Sequence, residues 1–204
     1  MRLTRAVLLI ADISGYSDFI THREVSLLHA EQIITELLEA MIDRSEHPLV
    51  LNKFEGDAAL LYAESGADPV AVVSDVLAQL RAMFAGFAVC RDRIRESRSN
   101  CSCDACAKIS NLELKAFVHC GEIAIKKIRQ FEELAGEEVI LIHRLLKNQV
   151  PERDYVMLTE AVAAQWPVPA DRARRHIEQF EGVGELALML LPVSALPERP
   201  TSGS

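Results

Sequence analysis

Residues 7–20, VLLIADISGYSDFI, place an aspartate at the end of an apolar run. The five residues before Asp12 are all aliphatic, which is typical of a buried strand, and the residues after it predict a tight turn into a short helix. A carboxylate is costly to bury without a partner. Asp12 therefore either caps the helix that follows or holds something positive.

The composition is that of a globular protein with one core. The chain has 204 residues, of which 50% are hydrophobic and 25% charged, and this suits one domain of generous size. A net charge of −8 argues against a nucleic-acid-binding surface, which would carry a basic stripe. No apolar run approaches the roughly 18 residues that span a bilayer, so we predict a cytoplasmic protein without a membrane partner.

The order of sequence patterns predicts an α+β fold with an antiparallel or mixed sheet, helices on one face and a ferredoxin-like topology. We expect one domain over residues 1–194, and a flexible tail over the Pro- and Ser-rich residues 195–204. The predicted elements are a strand at 5–12, a helix at 24–45, a hairpin at 49–63, a helix at 69–95 capped by Asp68, two strands at 111–128 that turn near Gly121, a helix at 136–148, a strand at 154–160, a short helix at 159–165 and a hairpin at 175–193.

Two aspartates occupy equivalent places in this pattern. Asp12 ends the first strand, and Asp57 lies in the first hairpin turn, so both carboxylates can face one point of a ferredoxin-like sheet. Hard oxygen donors suit Mg²⁺ or Mn²⁺ carrying a substrate triphosphate, and two such ions clamp both oxygens of a phosphoryl transfer. Taken singly, Asp12 is more typical of a helix cap and Asp57 of a turn residue than of a metal ligand.

Four ordered blocks resemble the class III adenylate and guanylate cyclase catalytic domains. Residues 10–19, IADISGYSDF, match the family pattern F-A-D-I-x-G-[FY]-[ST], and residues 53–57, KFEGD, match K-x-x-G-D. Residues 118–125, VHCGEIAI, match H-x-G-E, and residues 136–146, GEEVILIHRLL, match the G-[DN]-x-V-N-x-x-x-R helix. The resemblance implies the cyclase-homology fold, here in a divergent and small stand-alone member.

The resemblance also implies a nucleotide site with two metal ions, Mg²⁺ or Mn²⁺. Its metal ligands are the carboxylates of Asp12 and Asp57 with the backbone of Ile13. Its triphosphate cradle is the backbone of Ser14, Gly15, Tyr16 and Ser17, whose N–H groups follow a strand.

The remaining implied roles concern the base and the reaction. Lys53 and Glu133 match base-reading positions, and a lysine donor with an acidic acceptor favours ATP over GTP. Arg144 matches the arginine that steadies charge on the transferring phosphate. In the family the site lies between two chains, which implies a homodimer that converts ATP to cyclic AMP and pyrophosphate, a phosphorus–oxygen lyase reaction.

One departure affects the expected activity. Ile140 stands where the family has the asparagine that orients the ribose, so turnover should fall. His143, one turn along, either substitutes for it or is an ordinary helical histidine, and Glu133 is either a base reader or a surface acid. Three functions are compatible with the sequence: a cyclase, a regulatory module that binds nucleotide and metal, or an interaction domain stabilised by zinc at the cysteines described next.

The chain has five cysteines, and three of them lie within six residues. Cys101, Cys103 and Cys106 fall in a predicted loop insertion at residues 98–110, outside the cyclase blocks. Such crowding predicts either a zinc site or reduced thiols. For zinc, the fourth ligand would come from Cys90, Cys120, His119 or the partner chain.

Overall fold

The computed structural model describes residues 1–20, 27–168 and 170–199. Its strands are β1 (Arg2–Ser14), β2 (Val50–Glu55), β3 (Ala58–Glu64), β4 (Glu113–Ile128), β5 (Phe131–Ala135), β6 (Tyr155–Thr159), β7 (Arg174–Phe180) and β8 (Gly184–Leu191). Its α-helices are α1 (Tyr16–Ile20), α2 (Leu27–Ile42), α3 (Pro69–Ser97), α4 (Asp104–Ala107), α5 (Glu137–Leu145) and α6 (Glu160–Ala163). Residues 24–26 of the predicted second helix lie outside the described residues.

All eight strands form one sheet, in the order β2-β3-β1-β4-β6-β8-β7, with β5 paired to β4. Only the pairing of β4 with β6 is parallel among the strand pairs of the described ranges. The predicted fold class, α+β with a mostly antiparallel sheet, is confirmed.

Strand β1 lies inside the sheet and is covered on both faces. Residues Ala6–Ala11 are fully buried, which explains an unbroken apolar run where a strand with one wet face would alternate. Val7 and Leu9 pack in the core formed with α2 and α3, whereas Leu8 packs in the core formed with α5. The expectation that helices cover only one face is therefore wrong.

Strand β4 is continuous where the sequence predicts a turn. It runs for 16 residues and pairs with β1 along 13 of them, with Gly121 opposite Ala6. A Cβ atom on Gly121 would lie 2.5 Å from Cγ of Glu138 on α5. This glycine therefore admits a close helix, and the prediction of two strands at 111–128 is wrong.

Helix α3 begins as predicted, with Pro69 as its first residue and Asp68 as its cap. The side chain of Asp68 accepts a hydrogen bond from the backbone N–H of Ala71 at 3.0 Å. By length and composition α3 could cross a membrane, because an 18-residue window within it has a mean hydropathy of 1.5. This finding is contrary to the prediction that no segment approaches a span. However, 56% of that window is buried inside the protein, as in the core helix of a globular domain.

The chain stays packed beyond the predicted boundary at residue 194. Ala195 and Leu196 are buried, and Nη1 of Arg81 donates to the carbonyl of Leu196 at 2.6 Å. Arg199 also pairs with Glu46 at 2.9 Å. The packing therefore includes residues 195–199 of the predicted tail, and residues 200–204 lie outside the described residues.

Candidate functional site

The pairing of β1 with β3 places the two predicted metal-binding aspartates beside one cavity. Asp12 is opposite Ala58, the residue after Asp57, and the N–H of Ile13 donates to the carbonyl of Asp57 at 3.2 Å. The side chain of Asp12 is only 14% exposed. Strand register, rather than sequence proximity, therefore brings these carboxylates together.

A lysine that was not predicted from the sequence lies beside Asp12. Lys115 on β4 is directly opposite Asp12, and its Nζ lies 3.0 Å from Oδ2 of that residue. Directly opposed side chains of antiparallel strands are neighbours, so the register itself produces the ion pair. The signal was present in the sequence: Lys115 is a charged residue in the apolar run LKAFV of a central strand.

Burial, and then neighbouring negative charge, raises the pKa of Asp57. Burial, and then the charge of Asp12, raises the pKa of Asp57 to about 6, although a backbone hydrogen bond and Lys115 oppose the shift. A nearby cation stabilises the charged form of a carboxyl group that burial has partly removed from water. The pair therefore favours a cation more strongly than exposed aspartates do.

The cavity beside the aspartates has a volume of about 530 Å³ and is lined mainly by polar groups. This volume is within the range of small-molecule sites. All four predicted cradle residues line it: Ser14 at the end of β1, Gly15, and Tyr16 and Ser17 at the start of α1, together called the β1–α1 loop. The segment between α5 and β6 forms another wall through Asn148, Glu152 and Arg153, which the sequence did not single out.

The loop at Gly15 depends on glycine. Its φ is +91°, and a Cβ atom there would lie 3.0 Å from the carbonyl oxygen of Asn111. Ser14 is buried and donates its hydroxyl to the carbonyl of Arg153 at 2.8 Å, so it ties the loop to the opposite wall. Its hydroxyl is thus committed to the protein, and its backbone is paired with that of Glu113 on β4.

The two predicted base-reading residues are neighbours. Nζ of Lys53 lies 3.7 Å from Glu133 and 3.2 Å from Glu55, which sequence reasoning did not select. Glu55 also contacts Nε2 of His143 at 2.9 Å, while Nδ1 of His143 lies 2.6 Å from the carbonyl of Val139. The ring of His143 therefore links β2, which carries Glu55, to α5, which carries Val139.

Arg144 lies apart from the aspartates within one chain. It lines a separate surface pocket with Ile140 and His143, and it is not among the residues that line the Asp12 cavity. Ile140, at the position expected to orient the ribose, is 57% exposed. Within one chain the carboxylates and the arginine therefore line different pockets, although Glu55 of the Asp12 cavity contacts His143 of the other pocket.

The cysteines of the insertion do come together, with a histidine that the sequence did not indicate. Nδ1 of His29 and the sulfurs of Cys101, Cys103 and Cys106 all lie within 4.8 Å of one another. His29 is 72 residues from Cys101, which is why no spacing motif revealed it. Burial, and then Cys103 and Cys101, raises the pKa of Cys106 to about 12.

The candidate fourth zinc ligands named from the sequence lie elsewhere or are committed. Cys90 and Cys120 are buried outside the group of four donors. His119 is buried, with Nδ1 at 2.8 Å from the hydroxyl of Thr159 and Nε2 at 2.6 Å from Glu138. The choice of these residues is therefore wrong, and the fourth donor atom close to the three sulfurs belongs to His29.

Comparison with known sequences identifies relatives. Residues 34–155 match the family model described as protein of unknown function, DUF2652. The chain is also 37% identical over 153 residues to uncharacterized protein Rv2561/Rv2562 of Mycobacterium tuberculosis, a match that covers 74% of this chain and 69% of that protein.

Comparison with solved structures identifies the fold. The adenylyl cyclase CyaB from P. aeruginosa superposes with a TM-score of 0.69 at 13% identity, covering 93% of this chain and 94% of that one. The guanylyl cyclase Cya2 gives 0.66 at 12% identity, covering 98% and 96%. A class III adenylyl cyclase-like ATP-binding protein from Pseudomonas aeruginosa gives 0.59 at 14% identity, covering 80% of this chain and 35% of that one. The fold is therefore that of the class III nucleotide cyclases.

Proposed function

We propose that this chain, which belongs to the DUF2652 family of proteins of unknown function, is a metal-dependent nucleotide cyclase that converts ATP to cyclic AMP and pyrophosphate. The observation that carries the proposal is the convergence of Asp12, Asp57 and the β1–α1 loop on one polar cavity. The fold shared with nucleotide cyclases adds support, because these residues lie in the sequence blocks that resemble the family's metal and triphosphate motifs.

The residues of the cavity fit a hard divalent cation. Asp12 and Asp57 supply carboxylate oxygens, and the backbone carbonyl of Ile13 is a third oxygen donor of the same kind. The raised pKa of Asp57 fits this interpretation, because a nearby cation would favour its charged form. When bound, Mg²⁺ or Mn²⁺ supplies charge neutralisation at the phosphates.

Groups of the protein would bind the triphosphate and the base and orient them for the reaction. The N–H groups of the loop Ser14–Ser17 hold the triphosphate, and Lys53 and Glu133 bind the adenine edge through its N1 acceptor and its N6 amine. The ribose 3′-oxygen attacks the α-phosphorus, the bond from that phosphorus to the bridging oxygen breaks, and pyrophosphate leaves. The proton of the 3′-hydroxyl passes to water. Orientation of the reacting groups is the largest contribution of the chain itself.

A second protomer completes the proposed site. Arg144 does not line the Asp12 cavity of its own chain, so we place it in the cavity of a homodimeric partner, with Lys53 and Glu133 beside it. There its guanidinium stabilises the charge that develops on the transferring phosphate. We also propose a cytoplasmic location without nucleic-acid or membrane partners, which agrees with the net charge of −8 and the burial of α3.

The second candidate function is a module that binds nucleotide without turning it over. Ile140 favours it, because an isoleucine side chain cannot hydrogen-bond the ribose. One of the similar structures is itself described as cyclase-like and ATP-binding. Such a module would bind metal and ATP and act through a partner protein.

The deciding experiment incubates the purified protein with Mn²⁺ or Mg²⁺ and each nucleoside triphosphate in turn, then separates the products. Cyclic AMP formation that is lost in Asp57→Asn and kept in Asp171→Asn supports the cyclase. The control residue is an aspartate whose side chain is 80% exposed. ATP binding without product at high protein concentration selects the binding module, and neither binding nor product removes both candidates.

A further inference from the structure

We propose that His29, Cys101, Cys103 and Cys106 bind one structural Zn²⁺ ion. This site is separate from the nucleotide cavity and involves none of its residues. It joins the beginning of α2, which carries His29, to α4 and the three residues before it, which carry the cysteines.

The spacing of the four donors is that of a tetrahedral zinc site. Zinc–sulfur bonds of about 2.3 Å and zinc–nitrogen bonds of about 2.0 Å place tetrahedral sulfurs about 3.8 Å apart and sulfur and nitrogen about 3.5 Å apart. The sulfurs of Cys101 and Cys103 are 3.5 Å apart. Nδ1 of His29 lies 3.4 Å from the sulfur of Cys103 and 3.8 Å from that of Cys101. These three distances are close to the tetrahedral values, and the sulfur of Cys106 lies within 4.8 Å of the other three donors.

The chemistry of the donors selects zinc and a structural role. Three thiolates and one imidazole form a complete Cys₃His set, which leaves no open position for a substrate. A disulfide would join only two of the cysteines and would leave the third thiol and His29 unexplained. Hard cations such as Mg²⁺ prefer oxygen donors, of which this set has none.

The proposed zinc site lies where a metal would stabilise the short helix α4. Helix α4 has only four residues, too few to be stable by itself. Ala105 and Cys106 are nevertheless buried in the same core as Phe19 of α1 and Ala30 of α2. The ion would fix α4 against α2, and α1, which follows the β1–α1 loop, packs on both helices.

The test measures metal in protein purified from zinc-supplemented cells without chelators. We expect one zinc ion per chain by mass spectrometry of the dissolved metal. In Cys103→Ser and in His29→Ala, zinc affinity measured by competition with a chromogenic chelator should fall at least ~10-fold, since even outer contacts to a metal are worth that much. The matched control is Cys120→Ala, which removes a buried cysteine outside the cluster and should retain the metal.

Replacement of zinc by Co²⁺ gives a readout that does not depend on variants. Tetrahedral coordination with several thiolates should produce intense visible absorption and sulfur-to-cobalt charge-transfer bands in the wild-type protein. Less than half an equivalent of zinc after reconstitution of fully reduced protein would overturn the proposal. An unchanged affinity in His29→Ala would overturn the assignment of the fourth ligand, and it would do so even if Cys103→Ser fails to fold.

Discussion

Asp12 and Asp57 are placed by hydrogen-bonded strands, whereas His29 and the three cysteines are placed by the start of one helix and a short segment after another. At the first place Lys115 already offsets part of the negative charge, so the sheet can form without a metal. At the second place the four clustered donors are three cysteines and one histidine, which are ligand types of structural zinc sites. Under the two proposals, the first site would use a metal for chemistry and the second would use a metal for folding.

The largest expected effect is the loss of cyclase activity in Asp57→Asn. The variant keeps the shape of the side chain but loses a metal-binding charge, which should cost several kcal/mol of transition-state stabilisation, or at least ~100-fold in rate. The rate of cyclic AMP formation measures it. Equal rates in Asp57→Asn and in the wild type would show that this cavity does not perform the reaction.

The next effect is on stability and belongs to the cysteine site. A metal present at 100 times its dissociation constant stabilises a protein by about 2.7 kcal/mol, which is about 5–10 °C in melting temperature for a chain of this size. A strong chelator should lower the melting temperature of the wild type by that amount and leave that of Cys103→Ser unchanged. Manganese without nucleotide should change the melting temperature far less. If the chelator lowers the melting temperatures of the wild type and Cys103→Ser equally, the cysteine site does not stabilise the protein through a metal.

Ile140→Asn should raise the cyclase rate by about tenfold. The asparagine restores a hydrogen bond to the ribose, and about 1.4 kcal/mol of better orientation corresponds to that factor. The matched control is Ile177→Asn, because Ile177 is also an exposed isoleucine but lies on β7. If the rate does not rise, the prediction that Ile140 slows turnover is wrong.

Asp57 should also make stability depend on pH in the metal-free protein. Its folded pKa of about 6 exceeds the ordinary aspartate pKa of 3.8, so the folded state binds the proton more tightly. The contribution is complete below pH 4 and is lost as the pH rises through about 6. Since the residue is only half buried, the loss is on the order of 1 kcal/mol after allowance for solvent screening. Urea unfolding from pH 4 to 7 should show it in the wild type and not in Asp57→Asn.

The smallest expected effect comes from Lys115→Gln. Removal of the ammonium group frees Asp12 and removes a charge that repels cations, so Mn²⁺ affinity should rise about threefold. Lys126→Gln, a change on the same strand away from the cavity, should leave that affinity unaltered. Calorimetric titration with Mn²⁺ measures both, and weaker binding in Lys115→Gln would show that the lysine supports the metal site.

Much of the fold could be predicted because local signals and packing agree. The apolar run before Asp12, the Asp68-Pro69 start of α3 and the hairpin at Asp57 each have a clear local pattern, and the structure confirms these elements. The prediction failed at Gly121, because a glycine that admits a close helix and a glycine that makes a turn look alike in a sequence. It failed again at Leu196, whose burial depends on a distant helix.

The candidate sites show the same division. Asp12 and Asp57 could be paired from the sequence because both adjoin predicted strand ends, and the structure places them at one cavity. Lys115 and His29 could not be placed, since each depends on a tertiary neighbour: a strand register in one case, and a contact across 72 residues in the other. The metal, base and phosphate roles of the predicted residues stay predictions.

A single-turnover experiment tests the central claim most directly. Protein in excess over labelled ATP, with Mn²⁺, should convert the label to cyclic AMP with one pyrophosphate released for each ATP consumed. Even if Ile140 makes turnover slow, the product is detected under these conditions, because each active site needs to react only once. Labelled ATP that stays intact, or that yields ADP without cyclic AMP, would contradict the assignment of a cyclase to this chain.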